Sequence, residues 1–388
     1  MTSSEPLPTL ITDAAGLTRL DAALTHVTRL AIDTESNSMH AYTERLCLVQ
    51  VAFGDPADPT VVAIDPLAPA FAGVVARALA PLITWWSQPD HAVVAHGASY
   101  DIAIFRRDLG AVPHSLVDTQ IAATLLGIEK TGYGSLVADF RGVTLSKSFQ
   151  QHDWARRPID AAALAYALAD ARHLLPLADV LVARIRAAEL DDEFAIACTA
   201  IRDTPAHAPR PAAETFWRLA TSEGKPPPRP ALLLLKQLID WRDRVSAALD
   251  MPPGRVINNA QLLSFARNPP ADRETWRRKL PKRVSEGDID TLVAALATAP
   301  SDGPLPPRER MPDAPPPIVR AREKHLKRWR DDEARARGVG AQAILASPTI
   351  AHLAQHGPDG LATAPQLGES RMRRYAATLR AMLANPNL

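Results

Sequence analysis

Arg29-Leu30-Ala31-Ile32-Asp33-Thr34-Glu35 decides how this chain is read: a β-like apolar run from Arg29 to Asp33 ends on two acids spaced i,i+2. On a strand, residues i and i+2 share a face, so Asp33 and Glu35 point together and Thr34 points away. Two carboxylates side by side repel. At ~4 Å and an effective dielectric of roughly 20 the cost is about 4 kcal/mol, which a divalent cation removes. Taken alone, a D-x-E at a strand end also fits an exposed terminus, so the case rests on what surrounds it.

Further β-like runs follow at Leu46 to Phe53, Val61 to Asp65 and Ala92 to His96. The first ones lie too close together for helical crossovers, which predicts an antiparallel meander joined to later β-α units. Helical runs are expected at Ser99 to Leu109, Val117 to Leu126 and the Ala/Leu-rich Asp160 to Leu175. Together these predict a mixed α/β domain. Within it, His96-Gly97-Ala98-Ser99-Tyr100-Asp101 carries a buried strand through a turn into a helix whose first turn holds Asp101, where a carboxylate also complements the helix dipole. Asp118 reads as a helix N-cap with a structural role. Tyr166 and Asp170, spaced i,i+4, share one helix face. An Asp on so apolar a helix is expensive to bury without a partner.

The 35 prolines cluster: Pro205, Pro209 and Pro211, then Pro226 to Pro230, then eight between Pro300 and Pro317. Proline removes a backbone donor and stops helices, so these clusters are expected to be linkers at 203–230 and 300–317. They separate an α/β domain at 1–202 from all-helical segments at 231–299 and 318–388. The two helical segments repeat at an offset of 88 residues: Leu238 to Asp243 is similar to Leu326 to Asp331, and Ile257, Asn259, Leu262 and Ala266 pair with Leu345, Ser347, Ile350 and Ala354. Two small helical domains of one type follow from this.

Composition excludes several classes. With 46% hydrophobic and 22% charged residues, 18 glycines and only Cys47 and Cys198, the chain is neither disordered throughout nor collagen, coiled coil or a disulfide scaffold. The greasiest run, Gly73 to Trp86, carries Arg77 and is too short for a membrane span. Without a secretory-type N-terminus, the protein is expected to be cytoplasmic. Residues 1–200 carry a net charge of −9 and the remainder +10, an asymmetry that points to a polyanion partner.

In this order and context, Asp33, Glu35, Asp101 and Asp170 resemble the DEDD family of 3′–5′ exonucleases. Tyr166, four residues before the last acid, is similar to the tyrosine subgroup; a histidine five before it would mark the other subgroup, and that position is Ala165. Leu116-Val117-Asp118-Thr119-Gln120, Gly142 to Ser148 and Asp153 to Pro158 look like ribonuclease D. Leu238 to Asp243 with Pro252 to Leu263 is similar to the helicase and RNase D C-terminal (HRDC) domain, and the copy at 318–388 resembles it less closely. Ser36, where some ribonucleases D carry Phe, departs from the pattern and removes a stacking contact there.

The resemblance implies an α/β RNase H-like catalytic domain, a mixed sheet flanked by helices, followed by two all-α HRDC-type domains. It implies that Asp33, Glu35, Asp101 and Asp170 hold two Mg²⁺ or Mn²⁺ ions while Tyr166 orients the attacking water. With an unperturbed pKa near ~10 a phenol is a poor base at neutral pH. The expected reaction trims the 3′ ends of tRNA precursors or other structured RNAs to nucleoside 5′-monophosphates, by a monomer with no membrane association. Thr34, His96, Lys147, Trp154 and Arg157 are the candidates for substrate contact, Trp154 as a base-stacking platform or a packing anchor. Basic runs at Arg277 to Arg283, Arg320 to Arg330 and Arg371 to Arg374 are expected to track phosphates. Deleting 231–388 is then expected to weaken binding of structured RNA and spare hydrolysis of short oligomers. The alternatives are a proofreading-type 3′–5′ DNA exonuclease, which needs the same acids, and a catalytically silent nucleic-acid-binding scaffold, which does not need them.

Overall fold

A computed structural model describes residues 6–207, 212–297, 303–308 and 314–384. Its sheet has six strands in the order β1-β4-β3-β2-β5-β6: β1 is Leu10–Ile11, β2 Arg29–Ser36, β3 Leu46–Phe53, β4 Thr60–Ile64, β5 Ala92–Ala95 and β6 Ser115–Asp118. β3 and β4 are antiparallel, as the short spacing requires, while β2, β5 and β6 run parallel. The carboxyl ends of those three strands therefore share one edge of the sheet, and Asp33, Glu35, His96 and Asp118 all lie at those ends.

The strand alternation sorts the two faces. Leu30 and Ile32 join the core formed with the helices Ala14–Leu24, Ala80–Trp86 and Ser99–Leu109. Ala31 packs instead with Ala52, Val94, Ala171 and Leu174, the residues of the opposite face, which the helices Ala161–Arg172 and Leu174–Ala187 cover. By the same parity Asp33 and Glu35 face the helix that carries Asp170, and Thr34 faces the helix that carries Asp101.

One expected element divides differently. Of the run Val117 to Leu126, only Thr119–Leu125 is helical, and Ser115–Asp118 becomes the edge strand β6. Leu116 and Asp118 are buried there while Ser115 and Val117 are half-buried, a period of two that four residues are too few to announce.

The chain divides into two compact units: Met1–Glu35, Leu46–His207 and Asp313–Leu388 form one, Ser36–Arg45 and Ala208–Pro312 the other. Among its described residues the regular structure of the second is helical, apart from Ser36 at the end of β2. Its core gathers Leu235, Leu238, Trp241, Leu262, Trp276 and Ile289. A helix, Ala212–Ala220, forms inside the stretch expected to be linker, because Phe216 and Leu219 are buried in that core. Residues 208–211, 298–302 and 309–313 of the proline-rich stretches lie outside the described residues.

The internal repeat is present at the level of packing. Leu238 and Leu326, Ile257 and Leu345, Leu262 and Ile350, and Ala266 and Ala354 are buried in pairs, and the short helices Pro253–Val256 and Ala341–Ile344 coincide at the same offset. At the corner after each long helix the chain takes a left-handed residue, Asp250 at φ +44° in the first copy and Gly338 at φ +64° in the second. Glycine adopts that backbone freely, whereas a residue with a Cβ is disfavoured by about 1–2 kcal/mol.

The second copy shares a core with the nuclease sheet's helices. Ala343 is buried among Leu125, Leu177 and Phe194, and Gly340 N–H donates to the Leu125 carbonyl at 2.7 Å. A Cβ on Gly340 would stand 1.9 Å from the Thr124 carbonyl oxygen, closer than any side chain tolerates. Arg371 is 2% exposed and donates to the carbonyls of Gln342, Ala343 and Gln366, so it is not part of a phosphate-tracking surface. Ser370 N–H donates to Asp192 at 2.9 Å. These contacts overturn the expectation that the whole helical region is dispensable for the nuclease, since removing 313–388 uncovers part of its core. Gly340→Ala is expected to cost about 2 kcal/mol or more through overpacking, seen as a lowered melting midpoint. Truncation after residue 312 is expected to reduce hydrolysis of short oligomers as well as of structured RNA; full activity of the truncated chain on short oligomers would contradict this.

Candidate active site

Asp33, Glu35 and Asp170 each offer a carboxylate oxygen, and these three atoms lie within 4.8 Å of one another. The first two come from the end of β2, the third from the helix Ala161–Arg172, whose N-cap Asp160 accepts the N–H groups of Ala162 and Ala163. Asp101 approaches from the other face of the sheet, in the first turn of Ser99–Leu109. Its carboxylate accepts the Thr34 hydroxyl, as the alternation along β2 requires. The Thr34 hydroxyl, expected among the substrate contacts, thus holds Asp101.

The turn that delivers Asp101 is clamped by Asp118. This fully buried carboxylate accepts N–H groups from Gly97 at 3.0 Å and Ala98 at 2.8 Å, and it also caps its own helix through Gln120 and Ile121. The structural role expected for Asp118 is therefore larger than a cap. Gly97 takes φ +65°, a backbone that residues with a Cβ rarely adopt.

Crowding so many acids moves their protons. Burial, followed by the charges of Asp101 and Asp170, holds Asp33 well above the usual carboxylate range. Burial and the charges of Asp33, Asp170 and Asp101 push Glu35 up to about 9. Burial raises Asp101 and Asp170 to about 6 each, against hydrogen bonds from Thr34 and Tyr166 that pull them down. All donors are carboxylate oxygens, the chemistry that hard divalent cations take, and a cation is what would let all four ionise together. The donor set fits a metal site.

Tyr166 donates its hydroxyl to Asp170, one helical turn away, and burial with the neighbouring negative charges raises its pKa further above that of an ordinary phenol. Its ring packs against Phe149 at 5.7 Å and Trp154 at 6.3 Å between centroids. Beside the acids opens a cleft of about 580 Å³ lined by Asp33, His96, Tyr133, Lys147, Tyr166 and Asp170.

A match to a 3′–5′ exonuclease family model spans residues 8–186, and HRDC-domain matches span 231–278 and 319–383. Ribonuclease D of Gluconacetobacter diazotrophicus is 33% identical over 321 residues, covering 80% of this chain and 77% of that protein. That of Acidiphilium cryptum is 31% identical over 362 residues, covering 90% and 87%. The chain belongs to the ribonuclease D family. It is a hydrolytic 3′–5′ exoribonuclease. The fold is shared with Escherichia coli RNase D, at TM-score 0.64 and 24% identity over 97% of this chain and 98% of that one. It is shared as well with the catalytic core of RRP6 from Trypanosoma brucei, at TM-score 0.66 and 23% identity over 76% and 82%.

The remaining expected substrate contacts divide. Lys147 is exposed on the cleft wall. His96 lines the same wall, but burial lowers its pKa, so it is neutral rather than a cationic phosphate ligand. Thr119 donates its hydroxyl to the Ala95 carbonyl and sits 2.9 Å from His96 Nδ1, which fixes the tautomer with Nε2 as an acceptor. Trp154 is 3% exposed beneath Tyr166 and has no open face for a base, so the packing anchor is correct and the stacking platform is not.

Arg157 is also a structural residue. It grips Asp65 bidentately at 2.7 and 2.6 Å and donates to the carbonyls of Cys47, Trp154 and Arg156, which leaves nothing for a phosphate. Tyr133 was not singled out in the sequence. It opens the helix Tyr133–Arg141 on the cleft wall, where burial and the charges of Asp33 and Asp170 raise its pKa. An aromatic between Gly132 and Gly134 at a helix start was the available signal.

Two outcomes follow from this geometry. Acids whose folded pKa is raised above the unfolded value contribute stability that is present at low pH and lost as pH rises through the folded pKa. Metal-free protein therefore loses stability between about pH 4 and about pH 9. Cation binding, which needs the ionised forms, strengthens over the same interval. The rise in melting midpoint on adding Mg²⁺ is expected to grow with pH; a rise independent of pH would exclude these acids as the site. Arg157→Ala strands Asp65 without its partner and is expected to cost about 3 kcal/mol of stability. The variant's KM for RNA at a temperature where it is folded is expected to match the parent's.

Proposed function

We propose that the chain trims the 3′ ends of tRNA precursors or other structured RNAs, releasing nucleoside 5′-monophosphates, with two Mg²⁺ or Mn²⁺ ions held by Asp33, Glu35, Asp101 and Asp170. The observation that carries this reading is the convergence of Asp33, Glu35 and Asp170 within 4.8 Å, with Asp101 adding its charge from the opposite face of the sheet. When bound, such ions activate water and neutralise charge on the phosphoryl oxygens.

The chain's own residues do the rest. Tyr166 keeps its proton at physiological pH, so it orients the attacking water by hydrogen bonding and does not deprotonate it. Asp170 fixes the phenol by accepting its hydroxyl. Lys147 supplies a mobile cation on the cleft wall for a backbone phosphate. His96, neutral with Nε2 as acceptor, suits a sugar hydroxyl rather than a phosphate oxygen. Exposed Arg320, Lys324 and Arg328 on the helix Pro317–Arg337 supply attraction for the phosphate backbone that salt screens. Structured RNA as substrate is supported by the E. coli RNase D structure, described as that of an exoribonuclease involved in structured RNA processing. Among the described residues no helix is long and apolar enough to cross a membrane. A cytoplasmic monomer completes the reading.

The test is a 3′-extended tRNA-like transcript incubated with and without EDTA, reading product lengths and released nucleotides. Stepwise shortening with 5′-monophosphates only in the presence of the cation is expected. Asp33→Asn is expected to lower kcat about 10³-fold or more, the equivalent of several kcal/mol of lost charge stabilisation. Retention of full cation-dependent activity in this variant would overturn the assignment. A matched DNA oligomer digested as fast as RNA would favour the proofreading-type alternative.

A further inference from the structure

The register of the sheet carries His96 to the edge of the acid cluster. Ala31 of β2 pairs with Val94 of the parallel strand β5, so two places further along both strands His96 stands beside Asp33, about 5 Å away between backbones. Ala31 and Val94 pack on the same face of the sheet, and by the period of two His96 and Asp33 share that face. Both line the cleft beside the acids, and His96 is only half-buried there.

One side of the imidazole is already committed. Thr119 gives its hydroxyl proton to the Ala95 carbonyl at 3.1 Å, so toward His96, 2.9 Å away, it can only accept from Nδ1–H. The Tyr133 ring packs against the imidazole at 5.4 Å between centroids. Nε2 therefore offers a lone pair and no proton, and it has no hydrogen-bond partner among the described residues. A polynucleotide has few groups to give such an atom. Phosphate oxygens carry no hydrogen and repel it. If the acids hold their cations at the scissile phosphate, a side chain next to Asp33 meets first the two sugars that flank that phosphate. In RNA each bears a 2′-hydroxyl, a donor that DNA lacks.

We propose that His96 is a specificity-determining residue: its Nε2 accepts the 2′-hydroxyl of a ribose flanking the scissile phosphate, and this contact makes the cleft prefer RNA to DNA. Thr119 and Tyr133 are then positioning residues, the first fixing the tautomer and the second holding the ring. This rests on the reading of the neighbouring acids as the cation site at which the phosphodiester is cut.

The test varies the substrate and the side chain together, with the full-length protein throughout. One short single-stranded oligoribonucleotide is compared with versions carrying a single 2′-deoxy or 2′-fluoro substitution at the terminal or the penultimate nucleotide, and kcat/KM is read for release of the terminal nucleotide. Fluorine keeps the sugar pucker of RNA and cannot donate a hydrogen bond. At one of the two positions both substitutions are expected to lower kcat/KM of the parent about tenfold, the worth of one hydrogen bond. His96→Phe, which fills the space without Nε2, is expected to lower kcat/KM on the unmodified RNA about tenfold and to respond to the same substitutions by no more than about twofold, as a broken pair does. Should that variant not fold, as judged by its melting transition, His96→Leu is read in its place. Indifference of the parent to the 2′ position at both nucleotides, a 2′-fluoro oligomer cut as fast as RNA, or undiminished 2′ discrimination in the variant would each overturn the proposal. A parent without cation-dependent hydrolysis of the unmodified RNA would sink the reading of the acids, whereas a parent that hydrolyses it and ignores the 2′ position sinks only the role of His96.

Discussion

Repulsion among the acids around the end of β2 is the constraint on which the rest of the structure depends. Asp33, Glu35 and Asp170 crowd within a few ångströms, with Asp101 beside them, and burial deprives them of the water that would otherwise screen their charge. A fold holds such a cluster only if each carboxylate is delivered by something stiff. Here β2 supplies two of them from a sheet with helices on both faces, Asp170 rides a capped helix, and Asp101 follows a turn stapled by Asp118. Thr34 and Tyr166 then each give a hydrogen bond to one carboxylate, which steadies it without neutralising it.

Around this cluster the fixed groups outnumber the adaptable ones. Trp154 supports Tyr166 from below, and Arg157 ties the segment of Trp154 to Asp65 and to the β3 carbonyl of Cys47. Among the residues that line the cleft, the exposed Lys147 carries the positive charge. This is the arrangement expected of a site whose work is electrostatic preorganisation, with the rigid parts beneath the chemistry and the adaptable ones toward the substrate.

The clustered acids were legible in the sequence because the rules that place them are local. Spacing i,i+2 on a strand fixed Asp33 with Glu35 and sent Thr34 the other way, and spacing i,i+4 on a helix fixed Tyr166 with Asp170. The strand limits of Leu46–Phe53 and the helix limits of Ser99–Leu109 were equally local, and both agree with the fold. What escaped depends on partners far away in the chain. Nothing near Arg157 announces Asp65, nothing near Trp154 announces that Tyr166 lies over it, and a basic residue at 371 looks like its exposed neighbours until the carbonyls of Gln342, Ala343 and Gln366 close around it. The same holds for the second helical copy, whose shared core with the nuclease depends on Gly340 meeting Thr124 and Leu125.

That glycine also bears on how a duplicated module can diverge. Eighty-eight residues earlier, the residue matching Gly340 is Pro252. Proline has no N–H to offer the Leu125 carbonyl and brings a ring into a space that excludes even a methyl group. The first copy placed at the second's station would therefore meet the Thr124 carbonyl oxygen with a proline ring, so the two copies are not interchangeable there. The likeness of the two copies is thus one of core pattern, while the corner residues of each suit it to a different neighbour: Asp250 and Pro252 in the first, Gly338 and Gly340 in the second.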